Sequence, residues 1–160
     1  MLTTDKTLVL VCIGTTKHHV DCIAPLVGKL IEKKSYPKIE VMYCDQTQIK
    51  ETKEKLDGLD RSKYQVLSMD IAFDSSNKKT LVRNVGIKPA LLINKDEETV
   101  LGDCSVIINV KNVYSGSLKN QQRKLFRNVN TPKVYRRVDF LIKHTYLEID
   151  RLIKALQLDK

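Results

Sequence analysis

The segment Thr7-Leu8-Val9-Leu10-Val11-Cys12-Ile13 constrains this chain more than any other. After Thr7 every position is apolar, and Gly14 ends the run. A strand with one wet face would alternate apolar and polar residues. An unbroken run reads instead as a central strand buried on both faces, as in parallel sheets. Thr15-Thr16-Lys17-His18-His19-Val20 follows as a loop, and Asp21 opens an amphipathic helix. Cys22, Ile23, Leu26, Val27, Leu30 and Ile31 recur at the spacing of one helical face. Pro25 belongs in the first turn, where a missing N–H costs little. Lys29, Lys33 and Lys34 fall late, where the helix dipole favours cations.

Further along, Ile39–Cys44 reads as a second strand and 46–56 as a polar helix carrying Ile49 and Leu56. Tyr64–Ile71 reads as a third strand, with Asp70 at or near its end. Residues 74–84 are polar and flexible in composition. Ala90–Ile93 and Ser105–Val110 are expected as two more strands, split by a charged turn near Lys95–Glu98. A long helix is expected from about Val134 to Leu156, its buried stripe made of Val138, Leu141, Ile142, Tyr146, Ile149, Ile153 and Leu156. Strands alternating with helices argue an α/β fold, a three-layer α/β/α sandwich with a mostly parallel central sheet. The length, 160 residues, suits a single domain over 1–160 with a basic C-terminal helical segment from about 111.

The basicity is uneven. Residues 1–110 hold 16 Lys and Arg against 15 Asp and Glu, whereas residues 111–160 hold 12 against 4. Lys124, Arg127, Arg136 and Arg137 surround Phe126 and Tyr135 there. Cations interleaved with aromatics suit weak binding of single-stranded nucleic acid, or an acidic protein. No RNP, KH or helix-turn-helix signature accompanies them. No apolar run approaches the ~18–20 residues that cross a bilayer. The first residues lack the basic and apolar regions of a signal peptide. A cytoplasmic protein without a membrane partner is therefore expected. Cys12, Cys22, Cys44 and Cys104 lie far apart with no CxxC pair, so they are expected reduced and mostly core-packed. Neither metal nor cofactor is expected, and the oligomeric state is not legible.

In open α/β sheets function gathers at the carboxyl ends of strands. Asp21 and Asp70 fall there. Two acids in one cleft can share a proton and activate water, or hold a divalent cation. Each also has a structural reading: Asp21 as a helix N-cap, Asp70 as a strand-end acceptor of backbone N–H groups. Cys22 with His18 or His19 could form a nucleophile pair, although Cys22 also lies on the apolar helix face and the two histidines read as exposed loop residues. Gly14 and Thr15, just before a helix, could bind a phosphate. One glycine is no P-loop, and Asp21 would repel an anion.

Val11-Cys12-Ile13-Gly14-Thr15 followed by Val20-Asp21-Cys22-Ile23-Ala24-Pro25-Leu26-Val27-Gly28 resembles the opening motif of the YyaC-like sporulation proteins. Val66-Leu67-Ser68-Met69-Asp70-Ile71-Ala72 resembles that family's second strand-Asp-Ala motif. Lys88-Pro89 and Gly102-Asp103-Cys104-Ser105-Val106-Ile107 resemble its later segment. The resemblance covers roughly residues 7–110. It implies a phosphorylase/hydrolase-like fold similar to spore germination proteases and hydrogenase maturation proteases. It further implies a peptide-hydrolysing pair, Asp21 and Asp70. In hydrogenase maturation proteases the same two places hold acidic ligands that read nickel, with a His as third ligand. Here no His lies between His19 and His144. Ala24 stands where the family has Gly. Two functions are carried forward: an aspartate-dependent endopeptidase acting on a peptide or protein, and a non-catalytic relative that binds protein or nucleic acid through the basic segment.

Overall fold

In the computed structural model, which describes residues 2–89 and 99–158, the apolar run is a strand at the heart of a five-stranded sheet. The elements follow in the order β1 (Thr7–Ile13), α1 (Ile23–Lys34), β2 (Ile39–Cys44), α2 (Ile49–Asp57), β3 (Tyr64–Ala72), β4 (Thr80–Arg83), β5 (Cys104–Asn109), α3 (Leu118–Phe126) and α4 (Pro132–Leu158). The strand order is β2-β1-β3-β5-β4. All pairings are parallel except β4 with β5.

Alternation along the strands sorts side chains onto two faces. Leu8, Leu10 and Cys12 of β1, with Leu67, Met69 and Ile71 of β3, pack against Ile23, Val27 and Ile31 of α1 and the apolar stripe of α4. Val9, Val11 and Ile13, with Val66, pack against Ile49 and Leu56 of α2. Helices therefore cover both faces, which is the expected three-layer α/β/α architecture. Leu8 through Ile13 are each buried, so the unbroken run reflects a two-sided core. Helix α1 lies close on the sheet at Gly28, where a Cβ would stand 2.6 Å from Cys12 Sγ. All four cysteines are free and buried. Among the described residues no helix is long and apolar enough to cross a membrane.

The structure departs from the sequence reading at several places. Residues 74–84, read as flexible, contain β4. It is an edge strand with one neighbour and leaves Val82 exposed, so it lacks the apolar density that marks a core strand. The Asn109 side chain secures its approach by donating to Ser76 O and Lys78 O. Helix α3, not singled out in the sequence, is capped by Ser117, which accepts from the Asn120 N–H. Helix α2 starts at Ile49 because Asp45 first holds a turn through the Thr47 N–H. Helix α4 starts at Pro132, two residues earlier than expected. Its stripe is as expected, with Val134 added and Ile142, Tyr146 and Leu156 partly buried. The expected strand Ala90–Ile93 and turn Lys95–Glu98 lie outside the described residues.

One topological fact positions the site. From β1 the chain crosses to β2 on one side, whereas from β3 it proceeds to β4 and β5 on the other. The connections diverge between the carboxyl ends of β1 and β3, where α/β sheets open a crevice.

Candidate functional site

The site begins with Gly14. Its φ is +141°, and a Cβ there would meet Asp21 O at 2.1 Å and Asp21 Oδ1 at 3.1 Å. Only glycine lets the chain turn off β1 with Asp21 folded against it. The Asp21 Oδ2 accepts the Thr15 N–H at 3.0 Å. The residue is 6% exposed, and burial pushes its carboxyl up to about 6, against the pull of the Thr15 hydrogen bond. The helix-cap reading of Asp21 is corrected here. Helix α1 starts at Ile23, its N-cap is Cys22, and no side chain caps it. The Gly14 N–H donates to Cys44 O at 2.9 Å. The backbone donors of Gly14 and Thr15 are thus both engaged within the protein, one by the end of β2 and one by Asp21.

His18 holds this loop from the other side. Its Nδ1 accepts the N–H groups of Val20 and Asp21, each at 3.0 Å. Its Nε2 lies 2.7 Å from Leu125 O in α3. A ring nitrogen that faces a carbonyl must carry the hydrogen, so His18 is the neutral Nε2–H tautomer. The expectation of an exposed loop histidine is therefore corrected for His18. His19 is exposed, and its N–H donates to Asn128 Oδ1 at 2.8 Å. Cys22 Sγ–H points to His19 O at 3.4 Å, within the core cluster. Burial pushes its thiol up, the opposite of what a thiolate nucleophile needs. The Cys–His pair is set aside.

Asp70 is 3% exposed in β3, and its Oδ1 accepts the Ile71 N–H at 2.8 Å. Asp70 pairs with Ile107 in register. The pairing of Cys12 with Met69 puts Asp70 beside Ile13, which pairs with Cys44. Asp70 is thus a carboxylate in an otherwise apolar row at the carboxyl end of the sheet. By alternation it shares the α2 face with Val66 and Ser68. Ser68 and Ser105 pair in register, and both have buried hydroxyls without a partner. A cavity of about 340 Å³ opens on this side, lined by Ser105, Ile107, Ile87, Arg83 and Lys88 among others. On the opposite side of the same strand end, an apolar cavity of about 370 Å³ is lined by Ile71, Phe73, Val110, Leu125 and Phe126.

The structure thus gathers Gly14, Thr15, His18 and Asp21 into one loop, with Asp70 in the neighbouring strand. Asp103 serves elsewhere. Its Oδ2 accepts from the Val66 N–H and Arg61 Nη1, each at 2.9 Å, which ties β5 to the amino end of β3. Of the four basic residues named from the sequence, Arg136 and Arg137 line a common groove. Lys124 instead donates to Ser115 O, and Arg127 ends α3. The nickel site of the resembling proteases does not fit this chain. Both His18 nitrogens are engaged, and the described residues hold no cluster of three or more His, Cys, Asp or Glu suited to a metal. Sequence reasoning missed His18 as a strut and the two partnerless serines. A His three residues before an Asp is the local trace of the strut, and the serines meet only through strand register.

The sequence profile of the family described as protein of unknown function, DUF1256, matches residues 1–136. No curated protein matches the chain. Among solved structures, a NiFe hydrogenase maturation protease, HycI, from Thermococcus kodakarensis KOD1 is similar at 11% identity. The alignment covers 87% of this chain and 91% of that one, with a TM-score of 0.42.

Proposed function

We propose that this chain, which belongs to the DUF1256 family of proteins of unknown function, is a peptidase-like hydrolase that works through Asp21 and Asp70. It is the family to which the YyaC-like motifs pointed. The observation that carries the proposal is topological: the two buried acids follow β1 and end β3, the adjacent strands between which the connections diverge. A carboxyl that titrates near 6 can hold or release a proton close to neutral pH, as a general acid or base requires. In the proposed cycle the ionised carboxylate of the pair takes a proton from water. The resulting hydroxide attacks the peptide carbonyl. The protonated carboxyl then delivers its proton to the leaving amine as the C–N bond breaks, so one acid and one amine result from each water consumed. Two acids that share one proton perform this chemistry on other folds. The apolar cavity beside Ile71 and Phe73 would receive an apolar side chain of the substrate. A sporulation role belongs to the same proposal, supported by the motif resemblance over residues 7–110. The four free, buried thiols favour a reducing cytoplasm.

The test is a peptide library incubated in oxygen-18 water and read by mass spectrometry. The parent protein should produce new carboxyl termini carrying one heavy oxygen. Asp21→Asn and Asp70→Asn should each lower turnover by about 10²–10⁴-fold while the far-UV spectrum is kept. Turnover that survives either change, or a library left intact by the parent, would overturn the pair.

A further inference from the structure

We infer that the groove between the N-terminal turns of α4 and the loops flanking β4 and β5 binds the phosphate groups of a nucleotide or of a single nucleic-acid strand. This inference stands apart from the hydrolase reading, since no residue of the Asp21 loop lines the groove. The groove encloses about 500 Å³, within the range of small-ligand sites. Five cations line it: Lys79 before β4, Lys111 after β5, and Lys133, Arg136 and Arg137 on α4. No Asp or Glu lines it.

Three observations point to an anion. First, among the described residues none of the five cations makes an ion pair. Single unpaired cations occur elsewhere, as at Lys29 and Lys34 of α1, but here five line one groove without an acid among them, whereas Lys53, Arg61, Lys143 and Lys154 each have a carboxylate partner. The acid that Lys111 influences, Asp74, already faces Arg83 at 3.6 Å and accepts the Ser76 N–H. Second, three cations sit in the first two turns of α4, which has no acid in its first turn. Lys133 lies in that first turn, the positive end of the helix dipole, where a cation is unfavourable and an anion is welcome; Arg136 and Arg137 follow one turn on. A local rule broken without internal compensation marks a site whose compensation is a ligand. Third, several of the cationic groups are already positioned. Arg137 Nη1 donates to Val113 O at 3.0 Å, and Lys111 Nζ donates to Ser75 O at 3.2 Å. Lys79 Nζ stands 5.9 Å from the centroid of the Phe140 ring.

Phe140 narrows the ligand class. It lines the groove, is 54% exposed, and lies nearly parallel to the His144 ring. A flat apolar ring beside a row of cations is the arrangement that stacks a base while the phosphates are held. Asn112 adds a polar residue to the same lining.

The probe is a fluorescein-labelled twelve-residue oligothymidylate, followed by anisotropy with the full chain at low salt. Lys133→Ala with Arg136→Ala, both exposed positions, should weaken binding at least about 10-fold and flatten the log–log salt slope by about 1.4, at ~0.7 per cation on a single strand. Phe140→Ala should weaken it by about 5-fold or more through lost stacking. Lys29→Ala with Lys34→Ala removes the same charge from α1 and should leave binding near parental. Adding ATP separates the two sources: full displacement identifies a free nucleotide, and displacement by unlabelled strand alone identifies a nucleic acid. No binding at low salt, or equal loss in the α1 and α4 double variants, would overturn the assignment.

Discussion

Asp21→Asn is expected to unfold at a higher temperature than the parent at pH 7.5, and at the same temperature near pH 4. The folded-state carboxyl titrates at about 6 because burial disfavours its charge, whereas an unfolded Asp titrates at ~3.9. Between those values the folded chain holds the extra proton. Stability therefore falls as pH rises from about 4 to about 6 and levels off above. A displacement of about two units sets a ceiling of ~3 kcal/mol. Residual water around the loop screens this to about 1–2 kcal/mol. Asparagine keeps an oxygen for the Thr15 N–H and carries no charge, so the gain appears only where Asp21 would be ionised. For a chain of this size it corresponds to a rise of about 2–8 °C in melting temperature. Thermal melts at a series of pH values, followed by circular dichroism, read it directly. A side chain that costs stability at neutral pH is the signature of a residue kept for function.

Gly14→Ala is expected to be more damaging than alanine at any of the other five glycines. Its Cβ would lie 2.1 Å from Asp21 O, a backbone atom that cannot swing aside. The φ of +141° adds a conformational cost of about 1–3 kcal/mol for a non-glycine residue. The turn must open, and Asp21 with it, at a total loss of about 3–5 kcal/mol. Urea unfolding should show a lower midpoint at an unchanged slope. Gly58→Ala is the matched control. Its Cβ would make ordinary contacts at 3.6 Å, at the end of α2 and with a negative φ. That variant should stay within ~0.5 kcal/mol of the parent.

Much of the frame is legible in the residues, because it follows from burial. The unbroken run of β1 requires two covering layers, and the apolar spacings of α1 and α4 supply the stripes that provide one of them. The positions of Asp21 and Asp70 at strand ends follow from the same patterning. What the residues conceal is tertiary. Strand β4 carries no core and becomes ordered by pairing with β5 and through the Asn109 side chain. His18 looks like any loop histidine until α3 brings Leu125 O to its Nε2. The partnerless hydroxyls of Ser68 and Ser105 meet only through strand register. The basic segment read as one surface, but folding separates Arg136 and Arg137 from Lys124 and Arg127 and adds Lys79 and Lys111 from the sheet side. Asp21 itself was readable as a cap, and only the fold of Gly14 against it reveals a carboxylate turned back on the loop.

The central claim is that burial at the carboxyl end of β1 raises the Asp21 carboxyl well above the ordinary carboxylate range. The carboxyl-carbon NMR titration of Asp21, assigned by its disappearance in Asp21→Asn, measures this without a substrate. The account predicts a midpoint at about 6. A midpoint at the ordinary carboxylate value of ~4 would contradict it.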